Sequence, residues 1–166
     1  SEAMRRGDEQ RPNHIIDPKA PSAARVVYDH FGGAAAFPRI APGLMAAVDK
    51  ADSAQFRRDE ILDPTGWVLL NYLMDSRTGL GRFRSFRISN YDLMMQLIET
   101  CRDLPVETVL ELPDVRERVD VYMQHRDLFR AQLQRCARVH DRLVVLDLRG
   151  EDVIYAGNRF MIYEIG

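Results

Sequence analysis

Apolar residues recur along most of this chain at spacings of three and four, the period of a helix, and shift to denser β-branched runs only near the end. In AARVVYDHF, the residues Ala23, Val27, His30 and Phe31 share one side. Ser22 stands ahead of them as N-cap after Pro21, and Gly32-Gly33 is the stop. A second helix is predicted from the Ala41-Pro42 step, where proline is tolerated in the first turn, through GLMAAVDKA. Asp63-Pro64 opens GWVLLNYLMD, whose apolar density around Trp67 predicts a buried helix. Ser89 caps NYDLMMQLIETCRDL, and Pro105 starts the short PVETVLEL. The longest periodic segment runs from Pro113 to about His140. Val115, Val119, Tyr122, Phe129, Leu133 and Cys136 keep a 4-3 spacing there, with Arg126 where another apolar residue would fit. One seam over such a length predicts a connector packed along one side.

Past that segment the character changes. The β-branched runs on either side of Gly150-Glu151-Asp152 predict a hairpin or strand pair. Earlier, SEAMRRGDEQRPN reads as a solvated loop, HIID as a short apolar step at the end of a strand, and SRTGLGRFRSFRI as a break carrying two glycines. NRFMIYEIG stops with apolar residues still arriving. An uncovered apolar end is an aggregation liability, so the C-terminus reads as cut.

Composition narrows the class. The 166 residues are 46% apolar and 29% charged, which suits one soluble globular domain or one and a half. A net charge of -2 gives no bulk basic field, so any contact with nucleic acid must use a local patch. Lys19 and Lys50 are the only lysines, a bias that reflects genome base composition more often than function. Cys101 and Cys136 lie in helical patterns without metal spacing and read as buried free thiols in a reducing cytoplasm. No apolar run approaches the ~20 residues of a membrane span, and no basic segment precedes an apolar one at the start. A cytoplasmic protein without membrane contact is expected.

Two stretches carry candidate chemistry. AAVDKADSAQF holds Asp49 and Asp52, which spacing alone makes solvated acids near a helix C-terminus, mildly unfavourable against its dipole. In RTGLGRFRSFR, the residues Arg77, Arg82, Arg84 and Arg87 interleave with Phe83 and Phe86 beside Gly79 and Gly81. Arginine forks suit phosphate oxygens and aromatic faces can stack a base; the competing reading is a solvated loop anchored by its phenylalanines. His30 reads as packed or half-exposed, since a ligand needs partners at suitable spacing.

NHIIDPKAPSAARVVYDHFGG, MAAVDKADSAQF, DPTGWVLLNYLMDSRTGLGRFRSFRISN and YAGNRFMIY together resemble the DHH phosphoesterases, in their exopolyphosphatase-related branch. That resemblance implies an α/β parent fold: a doubly wound catalytic domain on a parallel sheet, then a smaller DHH-associated domain. Of the portion present, residues 1–112 would be the back half of the catalytic domain, 113–140 a connecting helix and 141–166 the first elements of the second domain. Mainly helical structure with a short β segment near the C-terminus is expected, with Asn158 capping the helix that GNRF begins.

The family's metal ligands come from an early Asp-x-Asp, a lone Asp, the Asp-His-His that names it, and a late Asp before a Ser-x-x-Phe-like stretch. DSAQF matches the last alone, which makes Asp52 the candidate ligand for Mn²⁺ or Mg²⁺ and leaves Asp49 as its neighbour. The chain begins just past the expected Asp-His-His and lacks the late GGGH. YDHF, with one histidine in mid-helix, does not replace the former.

The implied reaction is metal-dependent hydrolysis of a phosphodiester or phosphoanhydride bond in a short oligonucleotide, a cyclic-dinucleotide product or polyphosphate, with metal-bound hydroxide as nucleophile. Two ions roughly 3.5–4 Å apart are needed for it, and one carboxylate cannot assemble them. Arg77, Arg82, Arg84 and Arg87 remain substrate-binding candidates as a group. The competing reading is a non-catalytic truncated scaffold or interaction module, free to associate through apolar faces, and for these residues alone inactivity is the expectation.

Overall fold

Cap residues and glycines set several of the helix boundaries in the computed structural model, which describes residues 14–41, 43–83 and 85–165. The chain divides into two compact units, Ser1–Phe56 and Arg57–Gly166. In the first, α1 (Ala23–His30) starts where the Ser22 hydroxyl accepts the Arg25 N–H at 2.9 Å. It ends at Gly32, whose φ of 100° lies in the left-handed region that glycine favours. α2 (Gly33–Ala36) is a single turn, after which the Phe37 ring stacks on Tyr28 at 5.6 Å. α3 (Leu44–Ser53) begins after Gly43 and stops at Ala54, itself left-handed at φ 56°. Among the described residues of this unit no large apolar side chain is fully buried. HIID forms no regular element.

The second unit holds α4 (Arg58–Leu62), α5 (Gly66–Met74), α6 (Asn90–Asp103), α7 (Val106–Leu110) and α8 (Pro113–Cys136). α5 turns Leu69, Leu70, Tyr72 and Leu73 inward, and Trp67 stays half-buried. These meet Val109 of α7 and Val115, Val119 and Tyr122 of α8 in one core. α6 is apolar on two sides. Leu93 and Leu97 face the core, and Tyr91, Met94, Met95 and Ile98 form an outer stripe exposed between 47% and 66%.

The long seam is present: α8 buries Val115, Val119, Tyr122, Leu133 and Cys136. Arg126 leaves it to pair with Asp63 at 2.8 Å. The helix ends at Cys136, short of the expected His140. β1 (Ala137–His140) follows and pairs antiparallel with β2 (Leu143–Leu146), Val139 opposite Val144. The turn is Asp141-Arg142, and Asp141 takes the left-handed conformation at φ 52° that aspartate tolerates better than most residues. The hairpin therefore precedes Gly150-Glu151-Asp152 and does not straddle it.

Residues 147–158, expected to supply a strand, instead form an irregular strap along α8. Side chains take the place of a partner strand. The buried Gln132 donates its amide to the Val153 carbonyl at 2.6 Å and to Glu151 at 2.7 Å, and accepts the Tyr155 N–H at 3.1 Å. A 3₁₀ turn (Arg159–Glu164) closes the unit. Asn158 caps it by accepting the Phe160 N–H, as expected, and also donates to the Ile61 carbonyl at 3.2 Å. The terminal apolar run is covered in part: Phe160 and Met161 are buried, whereas Tyr163 is 72% exposed.

Both cysteines are free, Cys136 buried as expected and Cys101 only half-buried. Burial pushes both thiols up. Among the described residues, no helix is long and apolar enough to cross a membrane.

Candidate functional site

The two acids of AAVDKADSAQF part company in the first unit. Asp49 faces α1, where its carboxylate accepts the Ser22 hydroxyl at 2.7 Å and both prongs of Arg25, Nε at 3.0 Å and NH2 at 2.6 Å. The Arg25 fork and then Ser22 hold Asp49 below the usual carboxylate range, against the opposing pull of burial. It is a clasp between two helices, and its lone pairs are committed.

Asp52 points elsewhere. It is exposed and lines an open cleft of about 730 Å³ with His14, Asp17 and the apolar side of α1. Two carboxylates and an imidazole thus border one space. Among the described residues, however, no group of three His, Cys, Asp or Glu side chains stands close enough to hold a metal ion. Asp52 fits a single ligand position, and the described donors do not fit a dinuclear centre. No step through a metal is assigned to them.

The arginine-rich break folds as two short 3₁₀ turns, Ser76–Thr78 and Leu80–Arg82, around Gly79 at φ 83°. Three of its four arginines serve the structure. Arg77 bonds Asp75 through Nε at 2.7 Å. Arg82 reaches the strap, where NH2 donates to the Ile154 carbonyl at 2.8 Å. Arg87 forks onto Asp114 at 2.9 and 2.6 Å. Arg84 lies outside the described residues. The side chains of Arg77 and Arg87 stay more than 60% exposed, so each could meet an anion only by sharing a carboxylate's partner.

Two residues that no sequence pattern singled out organise this loop. Arg118 is fully buried on α8. Its Nε donates to Asn90 Oδ1 at 2.9 Å, NH1 to the Asp114 carbonyl at 2.7 Å and NH2 to the Ile88 carbonyl at 2.8 Å, with the guanidinium 4.2 Å from the Phe86 ring centre. His125 sits between the rings of Phe83 and Tyr155, at 5.2 and 5.3 Å, and its Nδ1 accepts the Ala156 N–H at 3.1 Å. That bond requires Nδ1 to be unprotonated. Burial, then the neighbouring Arg82 charge, pushes the imidazole pKa down. Arg118 directly precedes Val119 of the apolar seam and lies off its 4-3 spacing, so the periodicity of α8 gave no signal for it.

No protein-family model matches the chain. No curated protein matches either. A solved structure does: PggH, a pGpG-specific phosphodiesterase from Vibrio cholerae, is 60% identical over 93% of this chain, with a TM-score of 0.82. The chain spans about half of that protein, 51% of its length.

Proposed function

We propose that this chain is part of a divalent-metal-dependent DHH-family phosphodiesterase that hydrolyses pGpG or a closely similar dinucleotide. The observation that carries the reading is the 60% identity over nearly the whole chain to a pGpG-specific phosphodiesterase. In this reading residues 1–112 belong to the catalytic α/β domain, 113–140 connect, and 141–166 begin the smaller domain. Asp52 contributes one ligand to Mn²⁺ or Mg²⁺, and the Arg77–Arg87 loop borders the substrate. Water adds across the internal phosphodiester, releasing two GMP.

The test uses the full-length protein that carries this chain. With Mn²⁺ it is expected to convert pGpG to GMP well ahead of polyphosphate, and Asp52→Asn is expected to cost at least ~100-fold in turnover, since even the partners of metal ligands typically cost 10–100-fold. Full activity in Asp52→Asn would remove the ligand assignment. Turnover of polyphosphate alone would move the substrate class.

For the 166 residues taken alone, the competing reading is a non-catalytic one: the described cleft sets Asp52 and Asp17 beside His14 without bringing three such donors close enough to hold an ion. Manganese-dependent pGpG hydrolysis by this chain in isolation would refute it.

A further inference from the structure

Between the arginine-rich break and the start of α6 lies a cavity of about 210 Å³, lined by Gly81, Phe83, Phe86, Ile88, Ser89 and Asn90. We propose that it is the guanine-reading subsite of the dinucleotide substrate; this rests on the dinucleotide reading above and assigns where the base is read. The volume falls below the ~300–1,000 Å³ of drug-sized pockets and suits one flat ring system. Two walls are aromatic, with the Phe83 and Phe86 ring centres 6.2 Å apart at 53°, and aromatic walls hold a base by its face whatever its identity.

Identity is read at Asn90. An asparagine side chain free at both ends pairs with adenine, accepting from N6 and donating to N7, whereas guanine presents two acceptors, O6 and N7, on the same edge. Asn90 is not free at both ends. Arg118 has donors only, so its Nε–H at 2.9 Å fixes Oδ1 toward the buried guanidinium. Among the described residues the Asn90 NH2 has no partner. It stands beside Gly81, where an added Cβ would come within 3.2 Å of Nδ2. A ligand in the cavity therefore meets the asparagine as a donor: guanine offers it two acceptors, O6 and N7, whereas the same edge of adenine offers N7 alone and sets its exocyclic amine against the amide.

Arg118 is held from three sides, so this polarity is built in before any ligand arrives. Phe86, beneath the same guanidinium, is tied to the same anchor. The loop thus reads the base through Asn90 and its phenylalanines, while Arg77, Arg82 and Arg87 are engaged with protein partners.

Asn90→Asp tests this directly, because the carboxylate keeps an acceptor for Arg118 and loses the donor. In the full-length protein, kcat/KM for pGpG relative to pApA is expected to fall at least tenfold, with the melting temperature retained. In the 166-residue chain, GMP is expected to shift the Phe83 and Phe86 ring resonances more than AMP does, and Asn90→Asp to abolish that difference. Gly81→Ala, whose Cβ would press on the Asn90 Nδ2, is expected to lower the same preference and decides the matter if Asn90→Asp fails to fold. An unchanged pGpG-to-pApA ratio in the folded variant, or GMP leaving both rings unmoved, overturns the subsite. Should the full-length protein hydrolyse neither dinucleotide, the proposed function falls, and the GMP titration still decides whether this cavity binds guanine.

Discussion

Three residues along a helix turn the side chain through about 300° at 3.6 residues per turn, enough to give Asp49 and Asp52 different neighbours. Asp49→Asn should cost roughly 1–2 kcal/mol, since it loses charge-assisted bonds to Arg25 that are only part-buried; a chemical melt of the chain measures it. Asp52→Asn, at an exposed position, should stay within ~0.5 kcal/mol of wild type in the same melt, so any loss of turnover in the full-length protein would be chemical in origin. The sequence motif distinguished these acids by resemblance alone. Nothing within AAVDKADSAQF could show that Arg25, 24 residues earlier, would take Asp49, because the pairing exists only once α1 lies against α3.

At the scale of elements, the strap over α8 depends on a glycine. A Cβ at Gly157 would run into the ring of Phe129, and the Gly157 N–H donates to the Thr78 carbonyl at 2.9 Å. Gly157→Ala should destabilise the chain by about 1–3 kcal/mol through overpacking, and Phe129→Leu in the same background should restore part of that. A double-mutant cycle in urea would read the coupling. Helices with a local start signal were legible beforehand: Ser22 and Ser89 cap α1 and α6, and Pro113 opens α8. The β segment was legible in kind but not in place. Leu143–Leu146 and the run after Asp152 have similar strand character, and what separates them is long-range. Gln132 and His125 supply the bonds that a partner strand would have given to Val153, Tyr155 and Ala156. The base-reading cavity was half legible: its phenylalanines lie in the quoted motif, whereas Asn90 gains its polarity from Arg118, 28 residues away.

At the scale of the whole molecule, the fully buried apolar side chains among the described residues belong to the second unit. Residues 57–166 expressed alone should therefore melt cooperatively by circular dichroism, as a unit with its own core would. A featureless thermal trace would show that the first unit is needed.

Acid should weaken the molecule in two stages. Folding lowers the His125 pKa, so the unfolded chain takes up that proton first, and stability falls as pH drops below about 6.5, the value of an unfolded histidine. A second loss begins near pH 4, where unfolded carboxyls protonate. Asp49 is held below the usual range by Arg25, and Glu151 at about 2 by Arg135, then Gln132 and Cys136. Scanning fluorimetry against pH should resolve the upper stage. His125→Gln, which can still accept the Ala156 N–H, should remove it and leave the lower one.

The outer stripe of α6 also has a consequence in oxidative chemistry. Met94 and Met95 are nearly half exposed, whereas Met161 is buried at 3%. A peroxide gradient read by mass spectrometry should convert the two α6 thioethers to sulfoxide ahead of that of Met161. Each conversion turns an apolar position polar, so the helix would lose its second greasy side while the one facing the core is untouched. The chain thereby carries a chemical clock for its own surface, and the delay before Met161 joins would time the opening of the core.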